Sequence, residues 1–285
     1  MTEPALAEPT ASEPRPRVRL PFDGTRPALP GPPIHPIRQA LRYGLARAAT
    51  HVLVRAIARV RVQGRQHLSE GPVLYCVNHQ NWADPFALMA ALPWTPRLYF
   101  FGPKEEDMGA GGRNRLMLWT GTAVPYKPGK NDLLEATRRV HLVFAAGGSM
   151  AIFAEGRIHA GERELLPLSE GAAYFALRSG VPIVPVAING TSWLAFGRRI
   201  RVRIGRPIAV EGRPTREAVD ALTRRTSDEL RALLSDYPDP PVPGRFGRWL
   251  TELFNEWPEG GRPGPEGAGT GDSGILEPAS RSEEG

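Results

Sequence analysis

Short unbroken apolar runs alternate along this chain with longer stretches of helical periodicity. Val73-Leu74-Tyr75-Cys76-Val77 carries no polar position and reads as a strand buried on both faces. The same logic predicts strands at 60–63, 72–77, 97–102, 122–126 and 149–153, and a half-buried alternating strand at 199–204. The run 181–188 is also apolar, but Pro182 and Pro185 predict that this strand is short or irregular. Helices are predicted over 37–59, 112–119, 131–146 and 169–179, the last two stopped by glycine. Two more helices start at recognisable caps. Asp84 with Pro85 behind it opens one that runs to about 92, and Thr215 opens one that runs to 234.

Two of the helical stretches are unusual in what they present. In 37–59, Arg47, His51, Arg55 and Arg59 recur every four residues, while Leu41, Leu45, Val52 and Ile57 fall elsewhere on the wheel. Such a basic helix is either a surface helix with a solvated basic face or one that lies in a membrane interface. In 245–257, Phe246, Trp249, Leu250, Leu253, Phe254 and Trp257 follow helical spacing. This short aromatic helix either packs on the domain or seats in a lipid interface, where tryptophan is favoured.

Strands alternating with helices predict an α/β sheet with helices on its faces. Composition then trims the ends. Residues 1–36 and 258–285 are rich in Pro, Gly, Glu and Ser with few large apolar residues, and are read as disordered tails. The folded body is 37–257, a single domain centred on 60–235 with the basic helix leading into it. Cys76, the only cysteine of the 285 residues, excludes an intrachain disulfide and reads as a packed thiol. The N-terminus is acidic and proline-rich, unlike a signal peptide, and no run of 18 uncharged apolar residues is present.

A net charge of +6 and a pI of about 9.9 favour an anionic partner: nucleic acid, anionic lipid or a phosphorylated ligand. No nucleic-acid-binding module is recognisable, so nucleic acid is not expected. Arginine dominates the basic residues, and the lysines, Lys104, Lys127 and Lys130, all fall in one stretch.

The densest chemistry is Asn-His-Gln-Asn-Trp-Ala-Asp, 78–84, directly after the first buried strand. His79 and Asp84 are five residues apart, about 140° on a regular helix, so the segment must bend for them to meet. A histidine backed by a carboxylate is a general base with a fixed tautomer. Taken singly, His79 also reads as a structural histidine and Asp84 as a helix cap. Three further blocks follow. Tyr126 leads into Lys127-Pro-Gly-Lys130, and Phe153-Ala-Glu-Gly-Arg157 exits a strand ahead of Val181-Pro-Ile-Val-Pro185. Other candidates fail on geometry. Gly109-Ala-Gly-Gly112 lacks dinucleotide spacing, Gly147-Gly-Ser149 precedes its strand where a nucleophile elbow would follow one, and the spacing of His79, Glu155 and His159 does not suggest a zinc site.

These four blocks, in this order over about 58–210, resemble the PlsC-type glycerolipid acyltransferases, the family of lysophosphatidic acid acyltransferases. The family signature is H-x4-D, a basic middle motif, F-P-E-G and a V-P-x-x-P strand. The resemblance implies a single-domain α/β fold of the PlsC acyltransferase kind, with a mixed sheet flanked by helices. It implies transfer of a fatty acyl group from a thioester to a lysophospholipid hydroxyl, most simply of 1-acylglycerol-3-phosphate, with no acyl-enzyme. His79 would be the general base and Asp84 its orienting carboxylate. Lys127, Lys130, Glu155, Gly156 and Arg157 would bind the phosphorylated acceptor. The co-substrate would be acyl-CoA or acyl carrier protein, with no cofactor and no metal, and the protein would work at an anionic membrane surface, peripheral to the cytoplasmic face. The chain departs from the pattern where Ala154 replaces proline, where lysines stand for the middle-motif arginine, and where Asn81 takes a position often held by serine. Another lysolipid or glycolipid acceptor, or a non-catalytic lipid-binding protein, are the competing readings. A serine hydrolase would require the missing elbow.

Overall fold

The computed structural model describes residues 35–104, 111–126, 132–159 and 161–254. The expected tails at 1–36 and 258–285, Trp257, and Lys127 with Lys130 lie almost entirely outside these residues. Seven strands form one sheet: β1 (Ala58–Gln63), β2 (Leu74–Val77), β3 (Leu98–Lys104), β4 (Ala123–Tyr126), β5 (Ser149–Phe153), β6 (Ile183–Asn189) and β7 (Arg198–Ile204). Their order is β1-β7-β6-β2-β5-β3-β4. The pairings are parallel except β6 with β7, so β1 and β7 run against the other five and the sheet is mixed.

The helices are α1 (Pro36–Ile57), α2 (Asp84–Ala91), α3 (Gly111–Thr120), α4 (Asp132–Ala145), α5 (Gly171–Ser179), α6 (Arg216–Leu234) and α7 (Arg245–Glu252). Side chains alternate across the central strands into two cores. Leu74, Cys76, Met150, Ile152 and Ile183 pack under α4, α5 and α6. Tyr75, Val77, Ala151 and Val184 face α2, with α1 laid over it. Both faces being covered, β2 and β6 have no polar alternation, which is why they appear in the sequence as unbroken apolar runs.

Three expectations need correction. The strand 181–188 is not irregular. β6 is seven fully buried residues, because Pro185 directs its missing N–H toward the side where β7 has already left. The Pro185 carbonyl accepts from Gly205, and the β6–β7 ladder begins at Val186. Val181 is excluded from the strand because its N–H closes the end of α5 on the Ala176 carbonyl.

Asp84 is not the cap of α2 but its first residue. Ala83 holds the cap position, and the Asp84 carboxylate points back into the preceding loop.

The third correction concerns the basic face of α1. Arg47 is fully buried, donating to the Tyr43 hydroxyl and to the Leu92 and Pro93 carbonyls. Tyr43, Arg47 and Thr50 face the domain, while Leu41, Leu45 and Val52 are each at least 65% exposed. The helix is inverted relative to a surface helix of a soluble domain.

Candidate active site

Because β2, β5 and β6 are neighbours and parallel, their carboxyl ends open on one edge of the sheet. Loops 78–83, 154–170 and 190–197 therefore meet there, where open α/β sheets gather their ligands. Asn78 holds the first loop down. Its side chain donates to the Ile188 carbonyl at 2.9 Å and accepts from the Ile188 N–H at 2.7 Å, extending the β2–β6 pairing by a side-chain bridge.

Beyond Asn78 the chain bends as the spacing requires. The bend is centred on a single buried oxygen. Asp84 Oδ2 accepts from the N–H groups of Gln80 (2.6 Å) and Asn81 (2.8 Å) and lies 2.9 Å from His79 Nδ1. An ionised carboxylate only accepts, so it selects the tautomer with hydrogen on Nδ1. Nε2 is left as the lone-pair nitrogen, with no partner among the described residues. Phe153, at the end of β5, stacks on the imidazole at 4.3 Å and fixes the ring plane. The His79 side chain retains 16% exposure, whereas Asp84 has none.

The segment after β5 grips the His79 peptide from both sides. Glu155 Oε1 accepts the His79 N–H at 3.0 Å, and the His159 N–H donates to the His79 carbonyl at 3.3 Å. Glu155 Oε2 pairs with His159 Nε2 at 2.5 Å and accepts from Leu166 N. His79, Glu155 and His159 do converge, against what their spacing suggests, yet they do so as a clamp on backbone. The His79 ring is committed to Asp84 and Phe153. Among the described residues no three His, Cys, Asp or Glu side chains group as metal ligands. Glu155 was expected to meet the acceptor. Its side chain is instead wholly buried, with both oxygens engaged by protein groups.

Gly156 turns the chain with a φ of 70°, a left-handed conformation that explains glycine there. Arg157, next in line, is half-buried, and its buried Nη2 has no hydrogen-bond partner among the described residues. The positions of Lys127 and Lys130 lie outside the described residues.

Several residues of this edge carry no readable signal in the sequence. Gln80 donates to the Gly161 carbonyl and accepts from Thr191, tying all three loops together. Glu162 is buried, accepts from the Gly190 and Ser192 N–H groups and pairs with the Ser192 hydroxyl. Burial pushes its carboxyl above the usual range, against the pull of those hydrogen bonds and with a further push from the Asp84 charge. From outside, α7 leans on the loop. Trp82 Nε1 donates to the Leu250 carbonyl at 2.9 Å, and Asn81 Nδ2 to that of Thr251 at 3.3 Å.

Cys76 lies one layer beneath, 1% exposed. Burial, with the Glu155 charge adding to it, pushes its thiol up to about 12, so it remains protonated and inert.

The arrangement is one imidazole held by a carboxylate at a strand edge, with no serine or thiol nucleophile hydrogen-bonded to it among the described residues. That chemistry suits removal of a proton from a bound hydroxyl. The comparisons with known proteins point to an acyltransferase. A family model described as Acyltransferase matches residues 59–189. The chain is 26% identical over 180 residues to a 1-acyl-sn-glycerol-3-phosphate acyltransferase of Saccharomyces cerevisiae, covering 60% of this chain and 58% of the relative. It is 23% identical over 156 residues to the chloroplastic 1-acyl-sn-glycerol-3-phosphate acyltransferase BAT2 of Brassica napus, covering 54% and 44%. The chain thus spans about half the length of these relatives. The crystal structure of the 1-acyl-sn-glycerophosphate acyltransferase PlsC from Thermotoga maritima shares the fold, with a TM-score of 0.51 and 17% identity over 69% of this chain and 78% of that one. Residues 59–189 are accordingly an acyltransferase domain, in a chain similar to 1-acyl-sn-glycerol-3-phosphate acyltransferases in sequence and to PlsC in fold.

Proposed function

We propose that this protein transfers a fatty acyl group from acyl-CoA or acyl carrier protein to the hydroxyl of a lysophospholipid, most simply 1-acylglycerol-3-phosphate, yielding phosphatidic acid. The observation that carries the reading is the His79–Asp84 pair, with hydrogen held on Nδ1 and Nε2 left to accept. The acceptor hydroxyl gives its proton to Nε2 as its oxygen attacks the thioester carbonyl. The tetrahedral intermediate collapses, the carbon–sulfur bond breaks, and the departing thiolate takes the proton back from the imidazolium. Asp84 stabilises the imidazolium in between. No acyl-enzyme is needed, in keeping with the inert Cys76.

Arg157, whose Nη2 has no hydrogen-bond partner among the described residues, is the described cation best suited to the acceptor phosphate, with Lys127 and Lys130 adding charge. Work at the cytoplasmic membrane face, by peripheral contact through the exposed apolar side of α1, suits two lipid substrates. Among the described residues, no helix is long and apolar enough to cross a membrane.

The test is thiol release from acyl-CoA by purified protein, offered lysolipids with and without a phosphate. Release with the phosphorylated acceptor is expected, and a loss of about 10²–10⁴ in rate for His79→Ala. Asp84→Asn should lower kcat with little change in the donor KM. Near-normal turnover by His79→Ala would overturn the assignment.

A further inference from the structure

The geometry points to a second lipid-bilayer contact, built from Phe196 and α7, that continues the α1 face and seats the catalytic edge directly on the membrane. It rests on the reading that the protein works at a lipid surface.

α7 repeats the inversion seen in α1. It buries Gly247 and Thr251 and presents Phe246 and Trp249 outward, 64% and 55% exposed. The small residue is what allows this. A Cβ on Gly247 would lie 2.7 Å from the Leu194 carbonyl oxygen and 2.5 Å from Pro243, so only glycine lets the helix press this close. Thr251 completes the seat by accepting from Leu194 N at 2.8 Å. Two residues along, Phe196 stands 79% exposed at the tip of the β6–β7 loop.

Topology makes the surface continuous. β1 runs parallel to β7 and against β6, so α1 hands the chain to β1 at the same edge where β6 ends. There the Gly197 N–H donates to the Ile57 carbonyl at 2.7 Å, joining the end of α1 to the Phe196 loop and, through Leu194, to α7. The apolar path therefore runs from α1 across Phe196 to Phe246 and Trp249. α7 in turn holds Asn81 and Trp82 of the catalytic loop.

Charge selects the occupant. α1 contains no carboxylate, β7 opens directly after the loop with Arg198 and Arg199, and α7 sets Arg245 and Arg248 against Glu252 alone. A second copy would bring arginine against arginine. The acidic residues 255–285 contain too few large apolar side chains to cover the aromatics. An anionic bilayer satisfies both demands, because tryptophan and phenylalanine enter the headgroup boundary while arginines meet phosphates.

Cys76 is buried, so a single introduced cysteine can be labelled on the full chain. An environment-sensitive fluorophore is placed in Phe196→Cys, in Phe246→Cys, and in Ala221→Cys on α6 as a control. Phosphatidylcholine–phosphatidylglycerol vesicles should brighten and blue-shift the probes at 196 and 246 and leave that at 221 unchanged. In parallel, Phe196→Ser with Phe246→Ser and Trp249→Ser should weaken partition onto those vesicles by about tenfold or more, with the melting temperature retained. Probes that do not respond, or that are shielded before vesicles are added because protein covers them, would overturn the proposal. So would unchanged partition of the triple variant. Binding needs no turnover, so a failed acyl-transfer assay leaves this result independent.

Discussion

Asp84 Oδ2 organises the site through three contacts: two backbone N–H groups that force the bend and one imidazole nitrogen that the bend delivers. The cap position expected of this side chain belongs to Ala83. Asp84 instead ties down the turn before the helix, which is why the His-Asp spacing fits no regular helix. Glu162 is the other buried carboxylate whose environment makes a measurable prediction. Its raised pKa means the native state binds a proton more readily than the unfolded chain. Stability from this group therefore falls as pH rises through the folded pKa, and the penalty of burying its charge is relieved as pH drops toward the ordinary carboxylate range. Glu162→Gln removes that titration and sets an amide donor against one of the loop N–H groups, costing about 1–3 kcal/mol at neutral pH. The stability gap between wild type and Glu162→Gln should widen as pH falls from neutral, measured by urea unfolding across pH. A narrowing gap would contradict the buried-charge account.

At the scale of elements, the sequence pattern located most strands and helices but misjudged which residues of α1 meet the domain. The four-residue spacing of Arg47, His51 and Arg55 suggested one solvated face. Arg47 is instead the element's anchor, because its guanidinium satisfies two carbonyls at the end of α2 and the Tyr43 hydroxyl, which also accepts from Leu98 N. Periodicity reports which residues share a side and not which side meets the protein. Arg47→Ala should strand those carbonyls, at a cost of about 3 kcal/mol. In a body of this size that lowers the melting temperature by roughly 6–12 °C. Arg47→Lys should recover little, since an ammonium cannot reproduce the planar fork. Thermal unfolding of the two variants checks both statements.

At the scale of the whole molecule, the proposed membrane contact combines two helices that expose apolar side chains with a basic surface. Exposed arginines attract anionic lipid over roughly one Debye length, about 8–10 Å near physiological salt, while buried aromatic contact is indifferent to salt. Partition onto phosphatidylglycerol-containing vesicles should therefore weaken as salt is raised, yet keep a salt-resistant remainder absent from the variant with serine at 196, 246 and 249. Vesicle sedimentation across a salt series measures both components.

The linear chain carried what depends on local periodicity and residue chemistry. Unbroken apolar runs marked β2, β5 and β6, because strands covered on both faces need no polar position. The order of His79, Asp84, Glu155 and Arg157 after strand ends marked the candidate site and the likeness to acyltransferases. Tertiary structure alone decided what depends on meetings across the sheet. It turned Glu155 inward onto His79 and His159, joined Gln80 to two other loops, and brought Glu162 against Gly190 and Ser192. It also set the apolar sides of α1 and α7 outward. None of these partners is near in sequence to all of the others, and each contact exists because parallel strands from distant parts of the chain end on one edge.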